Sequence, residues 1–209
     1  MIIVGWCRSG QDQFEQSSVS DERFAFARPY LAAPVLDAET LQTRVREMGA
    51  EISRDYRGRA VHVVAVLKGS MMIVADLLRA LTVPVSVDFI AVSSYGPEAR
   101  TSGAVRLIKD LDESIAGRHV LVVEDVIDTG LTLNYILGVL RRRQPASLEV
   151  ATLLDKPAHR LVDLPIRYIG FTLPDCFVVG YGLDFRERFR NLPFIAELRE
   201  DLIEEGLIG

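Results

Sequence analysis

The sequence predicts an α/β protein in which an open, mostly parallel β-sheet is flanked by helices. Residues 60–67 (AVHVVAVL) and 119–123 (HVLVV) are almost wholly apolar and rich in valine. Such runs are typical of strands that are buried on both faces of a parallel sheet. Segments with helical spacing alternate with these runs along the chain, and that alternation also indicates a parallel sheet.

The first predicted helix opens at Asp37, which can cap its N-terminus, and runs to about Tyr56. Leu41, Val45 and Met48 are spaced to share one face of this helix. The other predicted elements follow in an alternating order. In chain order they are strand 60–67, helix 70–80, strands 83–92, 104–109 and 119–123, helix 129–143, and strands 148–154, 168–171 and 177–180.

Two segments are predicted to lie outside regular structure. Residues 93–103 are polar and contain glycine and proline. This segment is longer than the usual connection of about 4–6 residues, so we interpret it as a lid. Residues 1–29 include a stretch rich in Gln, Ser and charge, and we predict that they are a disordered extension or leader. Residues 30–209 then form a single domain.

Composition and charge disfavour several classes of protein. The 209 residues carry 24 Lys and Arg against 29 Asp and Glu, a net charge of −5, whereas a nucleic-acid partner requires a basic face. No apolar stretch reaches the roughly 18 residues of a transmembrane helix, so no membrane partner is expected. Cys7 and Cys176 are too few and too far apart for a disulfide framework, which makes a reducing cytoplasm the simplest location.

The most informative segment is residues 122–132, VVEDVIDTGLT, in which a buried strand is followed by a turn and a helix. Glu124 and Asp125 at the strand end are costly to bury unless they are paired, and ribose hydroxyls or a hydrated cation would pair them. The turn from Asp128 lies at a helix N-terminus, where free backbone N–H groups and the helix dipole attract a phosphate. The glycine of the turn lets the backbone approach closely, and its two threonine hydroxyls can donate to phosphate oxygens.

Parts of this segment have a simpler explanation when taken alone. Asp128 or Thr129 can cap the following helix, and a lone Asp-Thr-Gly is most often only a cap. The complete string is far more specific, and it resembles the phosphoribosyl pyrophosphate (PRPP) signature of type I phosphoribosyltransferases. It lacks the Gly-Lys-Ser/Thr of a Walker A loop and the GxGxxG of a dinucleotide-binding turn.

Three other segments resemble hypoxanthine-guanine phosphoribosyltransferases, in the same order along the chain. They are residues 67–70 (LKGS), residues 153–157 (LLDKP), and residues 177–185 with 189–193 (FVVGYGLDF and FRNLP). The resemblance covers the chain from about residue 30 to the C-terminus. It implies the type I phosphoribosyltransferase fold, with a small hood formed from chain-terminal segments and a mobile lid loop. In that family the peptide between the residues matching Leu67 and Lys68 can be cis.

The resemblance assigns a role to each matching residue. The residues matched to the 5′-phosphate and ribose of PRPP are Glu124, Asp125, Asp128, Thr129, Gly130, Leu131 and Thr132. Those matched to pyrophosphate are Lys68, Gly69 and Arg190, and those matched to the purine are Ile127, Lys156, Phe177 and Val178. The residues matched to the lid are Ser93, Ser94, Tyr95 and Gly96. A Mg²⁺ ion is expected on oxygen ligands and water at Glu124, Asp125 and Asp184.

The chemistry of the matched side chains suits these roles. By resemblance, Asp128 faces the purine N7 and is the acid/base residue. Lys156 donates to the purine 6-oxo group, which disfavours adenine because its 6-amino group is itself a donor. Phe177 stacks on the purine ring, and the backbone of Val178 meets the edge that bears the exocyclic group of guanine. Arg190 contacts pyrophosphate, where its fork of donors fits the phosphate oxygens.

The resemblance therefore implies a Mg²⁺-dependent hypoxanthine (guanine) phosphoribosyltransferase of purine salvage, which makes IMP or GMP and pyrophosphate from PRPP. Small-molecule substrates and a homodimer or homotetramer are expected. Three alternatives stay open: a phosphoribosyltransferase for xanthine, adenine or a pyrimidine, a regulator on the same fold that binds RNA without turnover, and a structural domain. The acidic net charge disfavours the regulator, and the polar residues at the strand ends disfavour the structural domain. The sequence does not rank hypoxanthine, guanine and xanthine.

Overall fold

The computed structural model describes residues 2–3, 21–94 and 105–204. In chain order the strands are β1 (Ile2–Ile3), β2 (Leu31–Leu36), β3 (Val61–Leu67), β4 (Val85–Ser94), β5 (Val105–Lys109), β6 (His119–Ile127), β7 (Ser147–Asp155), β8 (Tyr168–Thr172), β9 (Val178–Val179) and β10 (Ile195–Leu198). The helices are α1 (Ala38–Asp55), α2 (Met71–Ala80), α3 (Leu131–Arg141) and α4 (Glu200–Glu204). Short 3-10 helices lie at Glu22–Phe24, Arg28–Tyr30 and Pro157–His159. Within the described ranges no helix has both the length and the apolar character that crossing a bilayer requires.

Seven strands form the central sheet in the order β1-β8-β7-β6-β3-β4-β5, and each neighbouring pair is parallel except β4 and β5. The predicted open, mostly parallel sheet is confirmed. Because parallel strands end at the same edge, the carboxyl ends of β3, β6 and β7 lie side by side, where open α/β sheets bind ligands. The register places Ala65 of β3 beside Val123 of β6, and Ile127 of β6 beside Asp155 of β7. The loops that follow these three strands therefore start next to one another.

Two apolar layers cover the faces of this sheet. Alternate residues of β3 belong to different layers: Val63 and Ala65 lie in one cluster, and Val64 and Val66 lie in the other. Buried residues of α1 and α2 join the first layer, and those of α3 join the second. Burial on both faces is the physical reason that the sequence of β3 is almost wholly apolar.

Helix α1 has the cap and the apolar face that its sequence predicts. The Asp37 carboxylate accepts a 2.7 Å hydrogen bond from the backbone N–H of Thr40, which satisfies one of the free donors at the helix start. Leu41, Val45 and Met48 are buried in the first layer. The spacing of these three residues thus identified the side of α1 that packs on the core.

A second, antiparallel sheet in the order β2-β10-β9 forms the hood. Its strands come from distant parts of the chain, since Leu36 pairs with Ile195 and Val179 pairs with Ala196. A third apolar cluster, which includes Phe194, packs with this sheet. The sequence does not predict β2 or β10, because both are short and β2 contains a proline, which a strand tolerates at a sheet edge.

Strand β6 is longer than predicted. It continues to Ile127 rather than ending at Val123, because β7 stays paired with it as far as Asp155. Glu124 and Asp125 therefore lie inside a strand rather than after it. Successive residues of a strand point to opposite faces, so the two acids leave the strand in opposite directions.

Two other predicted boundaries are also wrong. Strand β4 reaches Ser94 rather than Val92, since its last residues pair with β5. Helix α3 begins at Leu131 rather than at Thr129, because Gly130 adopts a left-handed conformation with a φ of 81°. Both differences arise from backbone pairing and backbone angle, which hydropathy does not report.

The beginning of the chain is described at residues 2–3 and again from residue 21. Strand β1 pairs in parallel with β8 at one edge of the central sheet. Ala27 is fully buried in the apolar cluster of the hood. Residues 4–20 lie outside the described part, so the division into an extension of residues 1–29 and a domain from residue 30 stays a prediction.

Candidate active site

Two loops meet the end of β6 at the carboxyl edge of the central sheet, and Gly69 lies at their junction. A Cβ placed on Gly69 would stand 1.6 Å from Oδ2 of Asp125, so the 67–70 loop touches an acid of β6. A Cβ placed on Gly182 would stand 2.0 Å from the carbonyl oxygen of Gly69. Gly182 also has a φ of 100°, which favours glycine. The fold thus brings three predicted motifs into direct contact.

The 67–70 loop follows β3, and the peptide between Leu67 and Lys68 is cis. The hydroxyl of Ser70 donates a 2.6 Å hydrogen bond to the carbonyl oxygen of Val66, which holds the loop against the end of the strand. The largely exposed ammonium group of Lys68 lies 3.0 Å from Oε2 of Glu187. Lys68 therefore extends toward the loop that follows β9.

The predicted phosphate loop encloses a cavity of about 210 Å³. The residues that line it belong to the signature or to the first turn of α3, and they are residues 124–130, Thr132 and Leu133. The first N–H groups of a helix have no partner within the helix, so this end of α3 suits an anion. The left-handed φ of Gly130 turns the chain from the strand into the helix at this point.

Arg160 holds the phosphate loop in place, and it belongs to none of the motifs evident in the sequence. Its Nε donates a 3.0 Å hydrogen bond to the carbonyl oxygen of Asp128, and its Nη2 donates a 3.3 Å hydrogen bond to that of Ile127. The guanidinium also pairs with the buried carboxylate of Asp155. A carboxylate at the end of a buried strand needs a positive partner, so Asp155 is the sequence signal that could have pointed to a nearby cation.

Burial changes the proton affinity of the two acids of β6. Burial raises the pKa of Glu124 well above its usual value, and the charge of Asp125 raises it further. Burial also raises the pKa of Asp125 to about 6, against the opposing effects of the Val126 backbone N–H and the charge of Arg190. Among the described residues, Oε2 of Glu124 has no hydrogen-bond partner. A cation or a sugar hydroxyl would satisfy these acids.

The acid pair suits Mg²⁺ rather than a metal that requires a full cage of side chains. Within the described ranges, no three His, Cys, Asp or Glu side chains are grouped closely enough to hold a metal ion. Asp184 instead pairs with Arg190, with 2.7 Å between Oδ1 and Nη2. Mg²⁺ usually takes one or two carboxylates and completes its shell with water and substrate phosphate oxygens. The oxygen donors of Glu124 and Asp125, and the buried Oε2 of Glu124 that has no partner among the described residues, fit such an ion.

Arg190 is fixed by the loop that follows β9. Its Nη1 donates a 2.8 Å hydrogen bond to the carbonyl oxygen of Gly182, the residue that touches Gly69. Its Nε is buried and has no hydrogen-bond partner in the described part of the chain. The backbone N–H of Glu187 donates to Oδ2 of Asp184 at 2.8 Å, which orients the carboxylate that Arg190 contacts. Arg190 thus lies beside the 67–70 loop. The two are close enough to contact the same pyrophosphate.

Lys156 lies where the end of β7 approaches the start of β9. Its backbone N–H donates a 3.0 Å hydrogen bond to the carbonyl oxygen of Ile127. Its ammonium group donates to the carbonyl oxygen of Cys176, the residue before Phe177. The structure therefore brings together the residues that the sequence matches to the purine.

Phe177 directly precedes β9 and is partly exposed. The residue is 38% exposed, and its ring meets Phe185 edge-on, with 5.6 Å between centroids and 89° between planes. Val178 and Ile127 are buried, so their side chains belong to the core. We therefore expect these two residues to meet a ligand through their backbone atoms.

Asp128 lies at the edge of the phosphate cavity and is half-exposed. Its Oδ1 is 3.2 Å from Nδ1 of His159, a residue outside the motifs evident in the sequence. The motif after β7 was matched at Lys156 and Pro157, and the following histidine carries no signal of its own in the sequence.

The predicted lid is described only in part. Ser93 and Ser94 are the last residues of β4, on the strand that leads out of the sheet. Tyr95 and Gly96 lie outside the described residues. The role of this segment as a lid stays a prediction.

Comparison with known proteins places the chain in a family. The family model of the phosphoribosyl transferase domain matches residues 34–186. The chain is 44% identical over 170 residues to the hypoxanthine-guanine phosphoribosyltransferase of Bacillus subtilis (strain 168), which covers 81% of this chain and 94% of that protein. The chain belongs to the hypoxanthine-guanine phosphoribosyltransferase family.

Other members of this family agree with the assignment. The hypoxanthine-guanine phosphoribosyltransferase of Mycobacterium avium is 49% identical over 170 residues, or 78% of this chain and 84% of that protein. A solved structure of a hypoxanthine phosphoribosyltransferase from Staphylococcus aureus is similar with a TM-score of 0.82 at 42% identity, covering 85% of this chain and 96% of that one. The predicted family and the predicted type I phosphoribosyltransferase fold are confirmed. The family model ends before Arg190, whose place at the junction rests on the geometry described above.

Proposed function

We propose that this family member is a hypoxanthine (guanine) phosphoribosyltransferase of purine salvage. It transfers the 5-phosphoribosyl group of PRPP to N9 of hypoxanthine or guanine, and it releases IMP or GMP and pyrophosphate. The observation that carries the proposal is the junction at Gly69, which joins a phosphate cavity, an acid pair and two cationic loops at one edge of the sheet. PRPP presents a 5′-phosphate, two ribose hydroxyls and a pyrophosphate, and the junction offers a group of matching chemistry for each.

The phosphate and ribose of PRPP would bind along β6 and the loop after it. The start of α3, with Thr129, Gly130, Leu131 and Thr132, would hold the 5′-phosphate through backbone N–H groups and hydroxyls. Glu124 and Asp125 would accept hydrogen bonds from the ribose hydroxyls, which supports the ionised form of both acids. One rigid strand and turn would thus set the position of the sugar relative to the base.

The pyrophosphate would lie between the 67–70 loop and the loop after β9. Lys68, the backbone of Gly69 and Arg190 converge there. Bond breaking at C1′ places negative charge on the leaving pyrophosphate, and fixed cations stabilise that charge. Glu124, Asp125 and Asp184 would hold Mg²⁺ directly or through water, and the ion supplies Lewis-acid stabilisation of the phosphate oxygens when it is bound.

The purine would lie between Phe177 and the end of β6. Lys156 would leave its contact with the carbonyl oxygen of Cys176 and donate to the 6-oxo group, which selects 6-oxopurines. Asp128 would accept the proton of N7, whose electron pair stays on the ring. That pair raises the electron density at N9, which forms its bond to C1′ as the bond from C1′ to pyrophosphate breaks.

The test is product formation from PRPP and Mg²⁺ with hypoxanthine, guanine, xanthine, adenine and uracil supplied separately. Nucleotide from hypoxanthine or guanine, lost when the metal is chelated, is the expected result. Turnover only with another base would keep the reaction class and contradict the roles of Lys156 and Phe177. Absence of turnover with every base, together with salt-dependent binding of RNA, would favour the regulator instead.

The oligomeric state and the location of the protein in the cell are also proposals. Homodimers or homotetramers are usual in this family, and light scattering during size-exclusion chromatography measures the assembly. A cytoplasmic location agrees with the sparse cysteine content, and fractionation of the source cells would test it.

A further inference from the structure

His159 bridges two aspartates at the edge of the candidate active site. It ends the short 3-10 helix Pro157–His159, which follows β7. Its Nδ1 lies 3.2 Å from Oδ1 of Asp128, and its Nε2 lies 3.0 Å from Oδ2 of Asp175. The Nδ1 contact is a hydrogen bond, and the Nε2 contact places a second carboxylate within ion-pair distance of the ring.

The contact with Asp128 constrains the tautomer of His159. An ionised carboxylate only accepts, so a hydrogen bond to ionised Asp128 requires a proton on Nδ1. The ring is therefore the donor in this contact, and the carboxylate of Asp175 lies beside the other ring nitrogen.

The contacts of Asp128 leave one carboxylate oxygen for a ligand. His159 engages Oδ1, and Oδ2 has no hydrogen-bond partner among the described residues. Arg160 fixes the backbone of the same residue through the carbonyl oxygen. Arg160 thus holds the main chain of Asp128, and the neighbouring His159 restrains the rotation of its carboxylate.

Residues 156–159 also contact the side of the site on which Phe177 lies. His159 contacts Asp175, and Lys156 donates to the carbonyl oxygen of Cys176. Phe177 follows these two residues directly. The segment 156–159 therefore spans the gap between Asp128 on one side and the start of β9 on the other.

We propose that His159 is a positioning residue that acts through Asp128. Its Nδ1–H holds Oδ1 of Asp128 so that Oδ2 faces N7 of the purine, and Asp175 holds the ring from the opposite side. This inference rests on the proposed function, in which Asp128 accepts the N7 proton. The three side chains are 44–64% exposed, and exposed ion pairs contribute little to stability. The expected effect of losing His159 is therefore on turnover and not on the melting temperature.

The choice of variants separates the two ring nitrogens. In His159→Asn the amide nitrogen replaces Nδ1 and can still donate to Asp128. In His159→Gln it replaces Nε2 and reaches toward Asp175 instead. His159→Ala lacks both donors. His119→Gln is the matched control, since His119 contacts Ser147 at the other end of β6.

The measurement is kcat and KM for hypoxanthine and for PRPP with the full-length protein. We expect kcat of His159→Ala and of His159→Gln to fall about tenfold, the usual effect of one hydrogen bond to a charged group. His159→Asn should retain at least half of the original kcat, and KM for PRPP should change less than about twofold. Equal losses in the Asn and Gln variants, or a kcat of His159→Ala within about twofold of the unsubstituted protein, would overturn the inference.

A double substitution distinguishes this inference from the proposal on which it rests. If Asp128→Asn alone keeps normal turnover, the role of Asp128 is wrong and the role of His159 falls with it. If Asp128→Asn lowers turnover, His159→Ala should cause no further loss in that background, because both act through one carboxylate. A further tenfold loss there would show that His159 acts independently of Asp128, which contradicts the inference while leaving the role of Asp128 intact.

Discussion

Gly69 lies against the carboxylate of Asp125, with no room for a methyl group between them: a Cβ on Gly69 would stand 1.6 Å from Oδ2. On its other side, the carbonyl oxygen of Gly69 lies close to Gly182, and a Cβ on Gly182 would stand 2.0 Å from that oxygen. One residue without a side chain therefore sets the spacing between the acid pair and the loop of Arg190. The spacing matters because both would contact the same PRPP molecule.

Substitution of Gly69 by alanine should displace the Asp125 carboxylate. We expect kcat/KM for PRPP to fall about 10²-fold, since a misplacement of about 1 Å in a catalytic site has effects of this size. Steady-state kinetics with varied PRPP would measure the loss. A variant that retains full activity would show that displacement of the Asp125 carboxylate does not affect the reaction with PRPP.

Gly138→Ala is a matched control for that experiment. Gly138 belongs to α3, and outside the adjacent residues and backbone of that helix no atom of the described residues lies within 4 Å of a Cβ placed on it. Alanine is favoured over glycine inside a helix, so we expect unchanged kinetics and a gain in unfolding free energy of about 0.5–1 kcal/mol. Thermal or urea denaturation would measure the gain.

Lys156→Gln should weaken the selection of 6-oxopurines. The loss of a charged hydrogen bond to the 6-oxo group would lower kcat/KM for hypoxanthine by about 10- to 100-fold. The KM for PRPP should change little, and the ratio of hypoxanthine to adenine turnover should fall. Lys109→Gln is the control, since Lys109 contacts Asp88 and Asp112 and should not affect the choice of base.

Asp128→Asn should reduce turnover far more than binding. An amide cannot accept the N7 proton, and general acid/base groups typically contribute about 10²- to 10⁴-fold to a rate. Single-turnover kinetics with saturating substrates, together with the affinity for PRPP by calorimetry, would separate the two effects. Near-normal turnover in this variant would exclude Asp128 as the acid/base residue.

His62 should make the fold sensitive to mild acid. Burial lowers the pKa of this histidine, and the positive charge of Arg118 lowers it further. Because the pKa is lower in the folded state, the unfolded state binds a proton that the folded state does not as the pH falls below about 6.5. The contribution of His62 to stability is thus present above that pH and is lost as the pH falls through the folded-state pKa.

The measurement is the unfolding free energy of the unsubstituted protein and of His62→Gln at pH 7.5 and 5.5. The difference between the two pH values should be smaller in the variant. His119→Gln controls for loss of a histidine elsewhere in the central sheet. An equal pH dependence in His62→Gln and the unsubstituted protein would show that His62 does not contribute to acid sensitivity.

The sequence predicted the elements whose burial leaves a pattern in the chain. β3 is buried on both faces and α1 on one, so hydropathy and spacing identified both. The hood strands left no such pattern, because β2 and β10 are short and β2 contains Pro34. The pairing that stabilises them joins distant parts of the chain, which local sequence does not reveal.

The residues of the candidate site also divide into those that the sequence predicts and those that only the fold reveals. The strings around Asp128, Lys68 and Phe177 were evident because several unusual residues stand at fixed spacing. Arg160 and His159 were missed because their contacts exist only after the fold brings partners to them: Arg160 meets carbonyl oxygens of the phosphate loop, and His159 meets a carboxylate 16 residues further along the chain.

The pairing of β2 with β10 has a consequence for how the protein is made. Leu36 and Ile195 are about 160 residues apart in the chain, so the hood is a long-range closure that forms only after β10 has left the ribosome. Both β2 and β9 pair with β10 in the hood sheet. Until β10 is available, neither strand has its partner. The side of the site that faces the base is therefore the last to be assembled, and a shortened chain would lose it first.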